Sequence, residues 1–246
     1  MPDDTLTWLS GKVVCLTGGT NGIGESFLQQ ICYELPVAHR PAKVILLARN
    51  AQLAKTVGDR VVEAGIACDQ HIGDLGEPKD IARMVQEVIQ NNTAVHCLMN
   101  HGGVWLSDSK RVELPNGLEA HYSVNFLSMA VLVSDLLPLL KASGSASDPA
   151  RIVVTGSGLY SVFAKGVVDF DNLQRENGEV NMGGDVGLAS GMAYAHSKAL
   201  QYVWCKHLAS TLSPAEDHVT LNLVSPGACL TPNQPIVCPS AVSILQ

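Results

Sequence analysis

The feature that most constrains the fold is a regular alternation of short β-branched segments with longer segments of helical periodicity. Six short segments are nearly continuous in apolar residues, as strands buried on both faces are, at 12–17, 43–48, 66–73, 94–99, 151–155 and 218–224. Helical segments lie between or after them, at 22–34, 51–64, 77–91, 118–142 and 191–213. Such alternation predicts an α/β fold with one doubly wound parallel sheet and helices on both faces.

Length and composition agree with one domain of this kind. The chain has 246 residues, of which 46% are hydrophobic and 16% charged, so it can bury a substantial core. We predict a single domain over residues 1–246. Within it, residues 160–190 form a long insertion and residues 232–246 an irregular tail, because neither segment has a clear helical period.

Charge and cysteine content limit the kinds of partner and the cellular compartment that are expected for this chain. The net charge of −7 provides no basic field, so we expect no nucleic-acid partner. The seven cysteines form no C-x-x-C pair and lie mostly in apolar runs, as buried thiols in a reducing compartment do. The acidic N-terminus is unlike a signal peptide, and the longest apolar run, 130–140, is too short to cross a bilayer. We therefore expect a soluble, cytoplasmic protein without a membrane span.

A glycine-rich turn connects the first predicted strand to the first predicted helix. Glycines let a backbone turn tightly and approach a pyrophosphate, whose charge then lies at the positive end of the helix. The turn indicates dinucleotide binding, with these candidate contacts: Gly18, Thr20, Asn21, Gly22, Ile23 and Gly24. The alternative is a tight corner without a ligand, since the spacing G-x-x-x-G-x-G differs from G-x-G-x-x-G.

The second and third predicted strands lead into residues suited to the adenosine half of a dinucleotide. An acidic residue after the second strand binds the ribose 2′-hydroxyl of NAD, whereas a guanidinium suits the 2′-phosphate of NADP. Arg49 occupies this region, which favours NADP(H) over NAD(H); the alternative is a solvated loop residue. Asp74 and Leu75, after the third strand, are placed to meet the adenine.

Tyr194 and Lys198 lie four residues apart in the last predicted helix and therefore share one face of it. A nearby cation stabilises a phenolate and lowers the phenol pKa from its ordinary value of about 10, so Tyr194 could act as a general acid or base. Ser157, just after the fifth strand, could hydrogen-bond a substrate carbonyl or alcohol. The alternative is an exposed Tyr/Lys pair without a catalytic role.

In this order, the glycine-rich turn, Arg49 and the Tyr/Lys helix resemble the short-chain dehydrogenase/reductase family, over residues 11 to about 231. The resemblance implies a Rossmann-type fold and an NADP(H)-dependent oxidoreductase in which the cofactor carries the hydride. It adds these candidate residues: Asn100, Asn125, Pro226, Gly227 and Thr231.

The resemblance also implies a role for each residue of the catalytic set. Ser157 would orient the carbonyl and Tyr194 would deliver the proton. Lys198 would also hold the nicotinamide ribose, and Asn125 would anchor a water in the proton relay. Thr231 would touch the nicotinamide carboxamide. No metal site is implied.

The interval between Ser157 and Tyr194, together with residues 169–173, resembles the retinol dehydrogenase-like and ketosteroid-reductase branch of the family. This branch acts on bulky apolar carbonyls. We therefore expect a small hydrophobic carbonyl or alcohol as substrate, of the retinoid, steroid or lipid-like kind, and a homo-oligomer is compatible with the resemblance.

Two departures from the family pattern leave an alternative open. His101 replaces the second residue of the usual Asn-Asn-Ala-Gly segment, and we expect a neutral histidine satisfied by backbone groups rather than a new catalytic group. After Pro226-Gly227 the family continues with a substrate lid, a helix and a last strand, whereas residues 232–246 contain three prolines and no helical period. The last strand and helix are thus expected to be missing, as in a truncated isoform. The alternative function is a catalytically weak or inactive dinucleotide-binding or regulatory protein.

Overall fold

The strands form one parallel sheet in the order β3-β2-β1-β4-β5-β6. The computed structural model describes residues 4–106, 111–163, 168–176 and 189–227. The strands are β1 (Val13–Thr17), β2 (Lys43–Ala48), β3 (Ala67–Ile72), β4 (Cys97–Asn100), β5 (Ala150–Thr155) and β6 (Val219–Val224). The strand order reverses between β1 and β4, so the predicted doubly wound parallel sheet is confirmed.

The helices follow the strands along the chain. They are α1 (Gly22–Gln29), α2 (Ala51–Glu63), α3 (Pro78–Asn91), α4 (Ser128–Ser143), α5 (Leu159–Phe163), α6 (Ala189–Thr211) and α7 (Pro214–Asp217). A π-helical turn, Gln30–Glu34, continues α1, and another, Tyr122–Leu127, leads into α4. Short 3₁₀ helices lie at Asp4–Leu9, Val37–His39 and Phe170–Asn172.

Helices cover both faces of the sheet. Residues from α3, α4 and α6 form one apolar cluster with the strands, and residues from α1 and α2 form the other. Successive residues of β1 alternate between the two, because Val14 and Leu16 lie in the α1/α2 cluster and Cys15 in the other. This two-sided burial explains the continuous apolar composition of the central strands.

Several local expectations were wrong, and the strand predicted at 94–99 is Cys97–Asn100 in the structure. The expectation of burial on both faces fails for the two edge strands, because helices cover the edges of a sheet less completely than its centre. In β3 only His71 is buried, and in β6 only Val219 and Leu223 are. The helix predicted at 118–142 starts later, since Glu113 and Glu119 pair in an antiparallel bridge before it. The strand predicted at 218–224 starts at Val219, because His218 has a positive φ of 52° and ends α7 in the left-handed conformation.

The part of the predicted insertion that the structure describes packs against α6. Residues 168–176 come after α5 in the chain. The Asp169 N–H donates to His196 Nε2, on α6, over 3.2 Å. His196 is 2% exposed, so the contact is buried. Residues 164–167 and 177–188 of the insertion, and the predicted tail at 232–246, lie outside the described residues.

The continuous helix Tyr122–Ser143 is long and apolar enough to cross a membrane by length and composition, with a mean hydropathy of 1.7 in its most apolar window. The apolar run at 130–140 is only the middle part of this helix, which is longer than the run alone indicated. Half of that window is buried, and the α4 side chains Met129, Leu132 and Leu136 are fully buried in the cluster with the strands. The helix thus packs as a core helix of the sheet.

We expect Leu136→Ala to lower the free energy of unfolding by about 2–5 kcal/mol, because the substitution removes fully buried methyl groups and leaves a cavity between α4 and the sheet. Urea denaturation followed by far-UV circular dichroism measures this change. Asp135→Ala is the matched control, since Asp135 is the exposed preceding residue of the same helix. Equal effects of the two substitutions would contradict the packing of α4.

Candidate active site

The glycine-rich turn between β1 and α1 has the geometry of an anion site. Gly18 and Gly22 have φ values of +70° and +57°, which favour glycine. A Cβ on Gly24 would lie 2.5 Å from the Gly18 carbonyl oxygen, so helix and turn approach more closely than a side chain permits. Within the described residues, the side chain of Asn21 makes no capping hydrogen bond, which leaves the first N–H groups of α1 for an anion. The turn, which also contains Thr20 and Ile23, therefore fits a pyrophosphate.

The ends of β1 and β4 are joined by a buried hydrogen-bonded junction. The Thr17 hydroxyl donates to Asn100 Oδ1 over 2.7 Å and accepts the Gly102 N–H over 3.0 Å. Asn100 is 2% exposed, and its Nδ2 has no hydrogen-bond partner among the described residues. Asn100 thus supports the floor of the cleft, and its predicted contact with a cofactor stays a prediction.

Arg49, Asp74 and Leu75 lie together at the carboxyl ends of β2 and β3. An Arg49 guanidinium nitrogen is 3.7 Å from Asp74 Oδ2, and the Arg49 side chain is 74% exposed. The Asp74 Oδ1 atom accepts the Gly76 N–H over 2.8 Å. Because exposed ion pairs contribute little to stability, Arg49 can leave Asp74 and bind a phosphate instead.

Tyr194 and Lys198 meet on one face of α6. The Lys198 ammonium lies 5.5 Å from the centre of the Tyr194 ring and donates to the Thr155 carbonyl oxygen at the end of β5 over 2.8 Å. Lys198 is only 4% exposed, and burial lowers its pKa to about 8. At neutral pH the ammonium is therefore still charged, close to the phenol.

Asn125 lies in the π-helical turn before α4 and is completely buried. Its Oδ1 accepts the Val104 N–H over 2.7 Å, while its Nδ2 donates to the Val104 carbonyl and to Ser197 Oγ, each over 3.0 Å. A Cβ on Gly103 would lie 3.1 Å from Asn125 Oδ1 and 4.0 Å from Lys198 Nζ, so both side chains converge there. The predicted role of Asn125 as a water anchor stays a prediction.

Ser157 and the Pro226-Gly227 pair lie at the same edge of the sheet, beyond β5 and β6. The Ser157 hydroxyl oxygen accepts the Leu159 N–H over 3.2 Å, and its proton can still be donated. Gly227 has a φ of +74°, which turns the chain after β6. Thr231 lies outside the described residues.

His101 differs in part from the expectation. Its Nδ1 is hydrogen-bonded to the Thr155 hydroxyl rather than to a backbone group. Burial, and secondarily the charge of Lys198, lower the pKa of His101 to about 4, so the ring is neutral at physiological pH, as expected. Thr155 therefore contacts His101 with its side chain and Lys198 with its carbonyl oxygen.

Sequence reasoning missed three side chains around this site. The Trp105 ring stacks on Tyr194 with a centroid distance of 4.7 Å, and the His121 ring meets Tyr194 edge-on at 6.4 Å. Gln201 Nε2 donates to the Asn125 carbonyl oxygen over 2.7 Å. Helical spacing could have indicated two of them, since His121 lies four residues before Asn125 and Gln201 seven after Tyr194. Trp105 follows β4 in an irregular segment and has no such signal.

A comparison with protein families agrees with this arrangement of the glycine-rich turn, the β1–β4 junction and the Tyr194/Lys198 pair. The short chain dehydrogenase family model matches residues 12–167, more than half of the chain. The chain belongs to the short chain dehydrogenase family. The matched range contains the glycine-rich turn, Arg49, Asn125 and Ser157, and α6 follows it.

Relatives within this family are dehydrogenases by name. Human polyprenol dehydrogenase is 29% identical over 222 residues, which cover 89% of this chain and 61% of that protein. Mouse retinol dehydrogenase 12 is 28% identical over 236 residues, which cover 94% of this chain and 66% of that protein. This chain thus spans about three fifths to two thirds of the length of these two relatives.

Solved structures of short chain dehydrogenases have the same fold. The Pseudomonas aeruginosa RhlG/NADP complex superposes with a TM-score of 0.68 at 23% identity, covering 94% of this chain and 77% of that one. L-Sorbose reductase from Gluconobacter frateurii, complexed with NADPH and L-sorbose, superposes with a TM-score of 0.69 at 18% identity, covering 92% and 72%. These likenesses establish the Rossmann-type fold.

We expect the burial of Lys198 to make stability depend on pH in the alkaline range. Its pKa is about 8 in the folded protein against an ordinary 10.5, so between these values the unfolded chain binds more protons and stability rises with pH. The cost of burying the charge, about 3 kcal/mol, is present in full below pH 8. The stability of Lys198→Met relative to the wild type should therefore fall from pH 8 to 10, as measured by urea denaturation.

Lys206→Met is the control for this experiment, because Lys206 is an exposed lysine of the same helix. Its stability relative to the wild type should change little over this range. A pH-independent difference between Lys198→Met and the wild type would contradict the buried charge.

Proposed function

We propose that this short chain dehydrogenase is an NADP(H)-dependent oxidoreductase that interconverts the carbonyl and alcohol forms of a small hydrophobic substrate. The observation that carries the proposal is the buried Lys198 ammonium, held by Thr155 beside the Tyr194 ring. This pair lies at the carboxyl edge of the sheet, where the β1–α1 turn has the geometry for a pyrophosphate. In open α/β sheets, ligands bind at this edge, where the strand order reverses.

The residues present fit a dinucleotide along the carboxyl edge of the sheet. The N-terminus of α1 would hold the pyrophosphate and Arg49 the 2′-phosphate, while Asp74 and Leu75 would contact the adenine. Lys198 would hold the nicotinamide ribose. A bound nicotinamide would supply or accept the hydride.

The chain itself supplies the proton and the orientation. In the direction of reduction, the Tyr194 hydroxyl donates its proton to the substrate oxygen, and the Lys198 cation stabilises the phenolate that remains. Trp105 fixes the plane of the phenol by stacking, and the Ser157 hydroxyl donates a hydrogen bond to the same substrate oxygen. In the direction of oxidation, the phenolate accepts the alcohol proton.

A hydrophobic substrate is supported by the surroundings of Tyr194 and by the names of relatives. Trp105 covers one face of the phenol with its apolar ring, and the next residue in the chain is the apolar Leu106. Relatives are named polyprenol dehydrogenase and retinol dehydrogenase, and both names denote alcohols with long apolar chains. We propose the same class of alcohol, or its carbonyl form, for this chain.

We expect Arg49→Ala to weaken NADPH binding about 10- to 150-fold, because it removes a charge-assisted contact worth about 1.5–3 kcal/mol. NADH binding should change little, since NADH has no 2′-phosphate. Titration of both cofactors by calorimetry measures the two effects. Lys55→Ala, which removes an exposed cation on α2, should change neither. Equal losses for NADPH and NADH on Arg49→Ala would overturn the preference for NADP(H).

We expect Tyr194→Phe to reduce turnover about 10²- to 10⁴-fold, because the ring stays in place while the proton donor is lost. NADPH binding should persist. The assay follows NADPH oxidation by the purified protein against a panel of ketones, aldehydes and retinoids.

The matched control is Tyr202→Phe, since Tyr202 is another tyrosine of α6 and stacks on Tyr160 instead. It should keep turnover near that of the wild type. Normal turnover in Tyr194→Phe would refute the proposed mechanism. NADPH binding without turnover of any substrate by the wild type would favour a dinucleotide-binding protein without catalysis.

A further inference from the structure

The segment after β4, residues 101–106, crosses the site as a strap whose backbone is held by buried side chains. The Gly102 N–H donates to the Thr17 hydroxyl, as described above. Two residues later, Val104 exchanges two hydrogen bonds with the side-chain amide of Asn125, one through its N–H and one through its carbonyl. Attachment at every second residue is typical of an extended chain, in which backbone groups two residues apart point to the same side.

The third attachment of the strap is a histidine. The Leu106 N–H donates to His121 Nε2 over 3.0 Å. Between the second and third attachments lies Trp105, whose ring is stacked on Tyr194 with an angle of 13° between the planes. The attachment at Leu106 therefore determines where the Trp105 backbone lies and how its ring meets the phenol.

The hydrogen bonds of His121 define its tautomer. Because Nε2 accepts the Leu106 N–H, the ring proton must be on Nδ1, which donates to Glu119 Oε1 over 2.9 Å. The other carboxylate oxygen of Glu119 accepts the Tyr122 N–H over 2.7 Å. Glu119 and His121 are only 2% and 1% exposed, so neither ring nitrogen nor carboxylate oxygen depends on water.

The pair includes a buried charge. Burial raises the pKa of the Glu119 carboxyl, but the hydrogen bonds from His121 and the Tyr122 N–H outweigh it, and the net pKa lies below its ordinary value. A buried charged group adds little stability over an apolar residue of similar volume. The ionised carboxylate instead fixes the orientation of its neighbours, because it accepts hydrogen bonds from both His121 and the Tyr122 N–H at once.

We propose that Glu119 and His121 are positioning residues for Tyr194. The carboxylate holds His121 in the tautomer protonated at Nδ1, and His121 in turn fixes Leu106. The fixed strap keeps Trp105 flat against the phenol, while the His121 ring limits the phenol from its edge. The catalytic consequence rests on the proposed function, whereas the structural consequence can be measured without turnover.

The central experiment compares His121→Phe with His121→Gln. Phe keeps a ring beside Tyr194 but offers no acceptor for the Leu106 N–H, so the strap should loosen. Gln carries an amide oxygen at about the position of Nε2 and can accept this hydrogen bond. We therefore expect loss of positioning in His121→Phe and retention in His121→Gln.

Near-UV circular dichroism reports the stacked pair directly, because two stacked aromatic rings in one fixed geometry contribute to this spectrum. The contribution is first defined as the part of the wild-type spectrum lost in Trp105→Leu. We expect His121→Phe to lose the same part and His121→Gln to keep it. In a turnover assay, kcat should fall about 10- to 100-fold in His121→Phe, as misplaced catalytic groups do, with little change in the KM for NADPH.

His96→Phe is the matched control. His96 also accepts a backbone N–H through its ring, that of Val13 over 3.1 Å, but it does so at the amino end of β1, away from Tyr194. This variant should lose stability without losing the Trp105 contribution or kcat. If it loses both as His121→Phe does, the effect is general destabilisation and the inference fails.

Glu119→Gln tests the pair without altering the histidine, and it serves if His121→Phe does not fold. The amide has one acceptor and one donor group, so it cannot accept from both His121 and the Tyr122 N–H. We expect its NH₂ group to face one of them. Either the ring proton moves to Nε2, which breaks the bond to Leu106, or the Tyr122 contact is lost.

Long-range ¹H–¹⁵N spectra of protein labelled in histidine distinguish these states. The wild type should contain a neutral ring protonated at Nδ1, assigned by its disappearance in His121→Gln. In Glu119→Gln, either this signal or the backbone amide resonance of Tyr122, observed in uniformly ¹⁵N-labelled protein, should change. An unchanged near-UV spectrum in His121→Phe would overturn the inference, and so would a Glu119→Gln variant in which neither the tautomer of His121 nor the Tyr122 amide resonance changes. Absence of turnover in the wild type would count against the proposed function alone, because both spectra are independent of it.

Discussion

The close approach of two backbone segments at the carboxyl ends of β1 and β4 is the constraint on which the rest of the site depends. A Cβ on Gly18 would lie 2.7 Å from the Gly102 nitrogen, so the turn and the strap touch without side chains between them. The Thr17 hydroxyl locks this contact by binding both Asn100 and the Gly102 N–H. Because the strand order reverses at this point, the contact forms the floor of the cleft, beneath both the anion site and the Tyr/Lys pair.

Asn125 connects this floor to the catalytic helix. Its side-chain amide holds Val104 of the strap and reaches Ser197 on α6, and its carbonyl oxygen accepts from Gln201 on the same helix. A buried amide with all these partners satisfied is rigid, since breaking one bond leaves a buried polar group unpaired. The position of Lys198 relative to the strap therefore follows from one side chain in a π-helical turn, a local geometry that is frequent at functional sites.

The helix and strand pattern predicted the sheet because two-sided burial and helical amphipathicity are local properties of the chain. The prediction of burial failed where the local pattern of a segment and its position in the sheet disagree. This happened at β3, which lies at the edge of the sheet because only β2 pairs with it among the described residues. Likewise, Leu118 and Glu119 lie outside the helix although it was predicted from 118, because Glu119 pairs with Glu113 in a bridge before the helix begins. This antiparallel pairing outweighed helix propensity there.

The sequence by itself determined the parts of this protein that depend on spacing along one element: the glycine turn at the start of α1, and Tyr194 four residues before Lys198 on one helical face. Only the tertiary structure decided what surrounds them. The stacking of Trp105 on Tyr194 and the Glu119–His121 pair behind it join segments from different parts of the chain, and no local periodicity encodes such contacts. Charge and proton positions at the site depend on burial and on these partners, which exist only once the sheet has brought the carboxyl ends of its strands together.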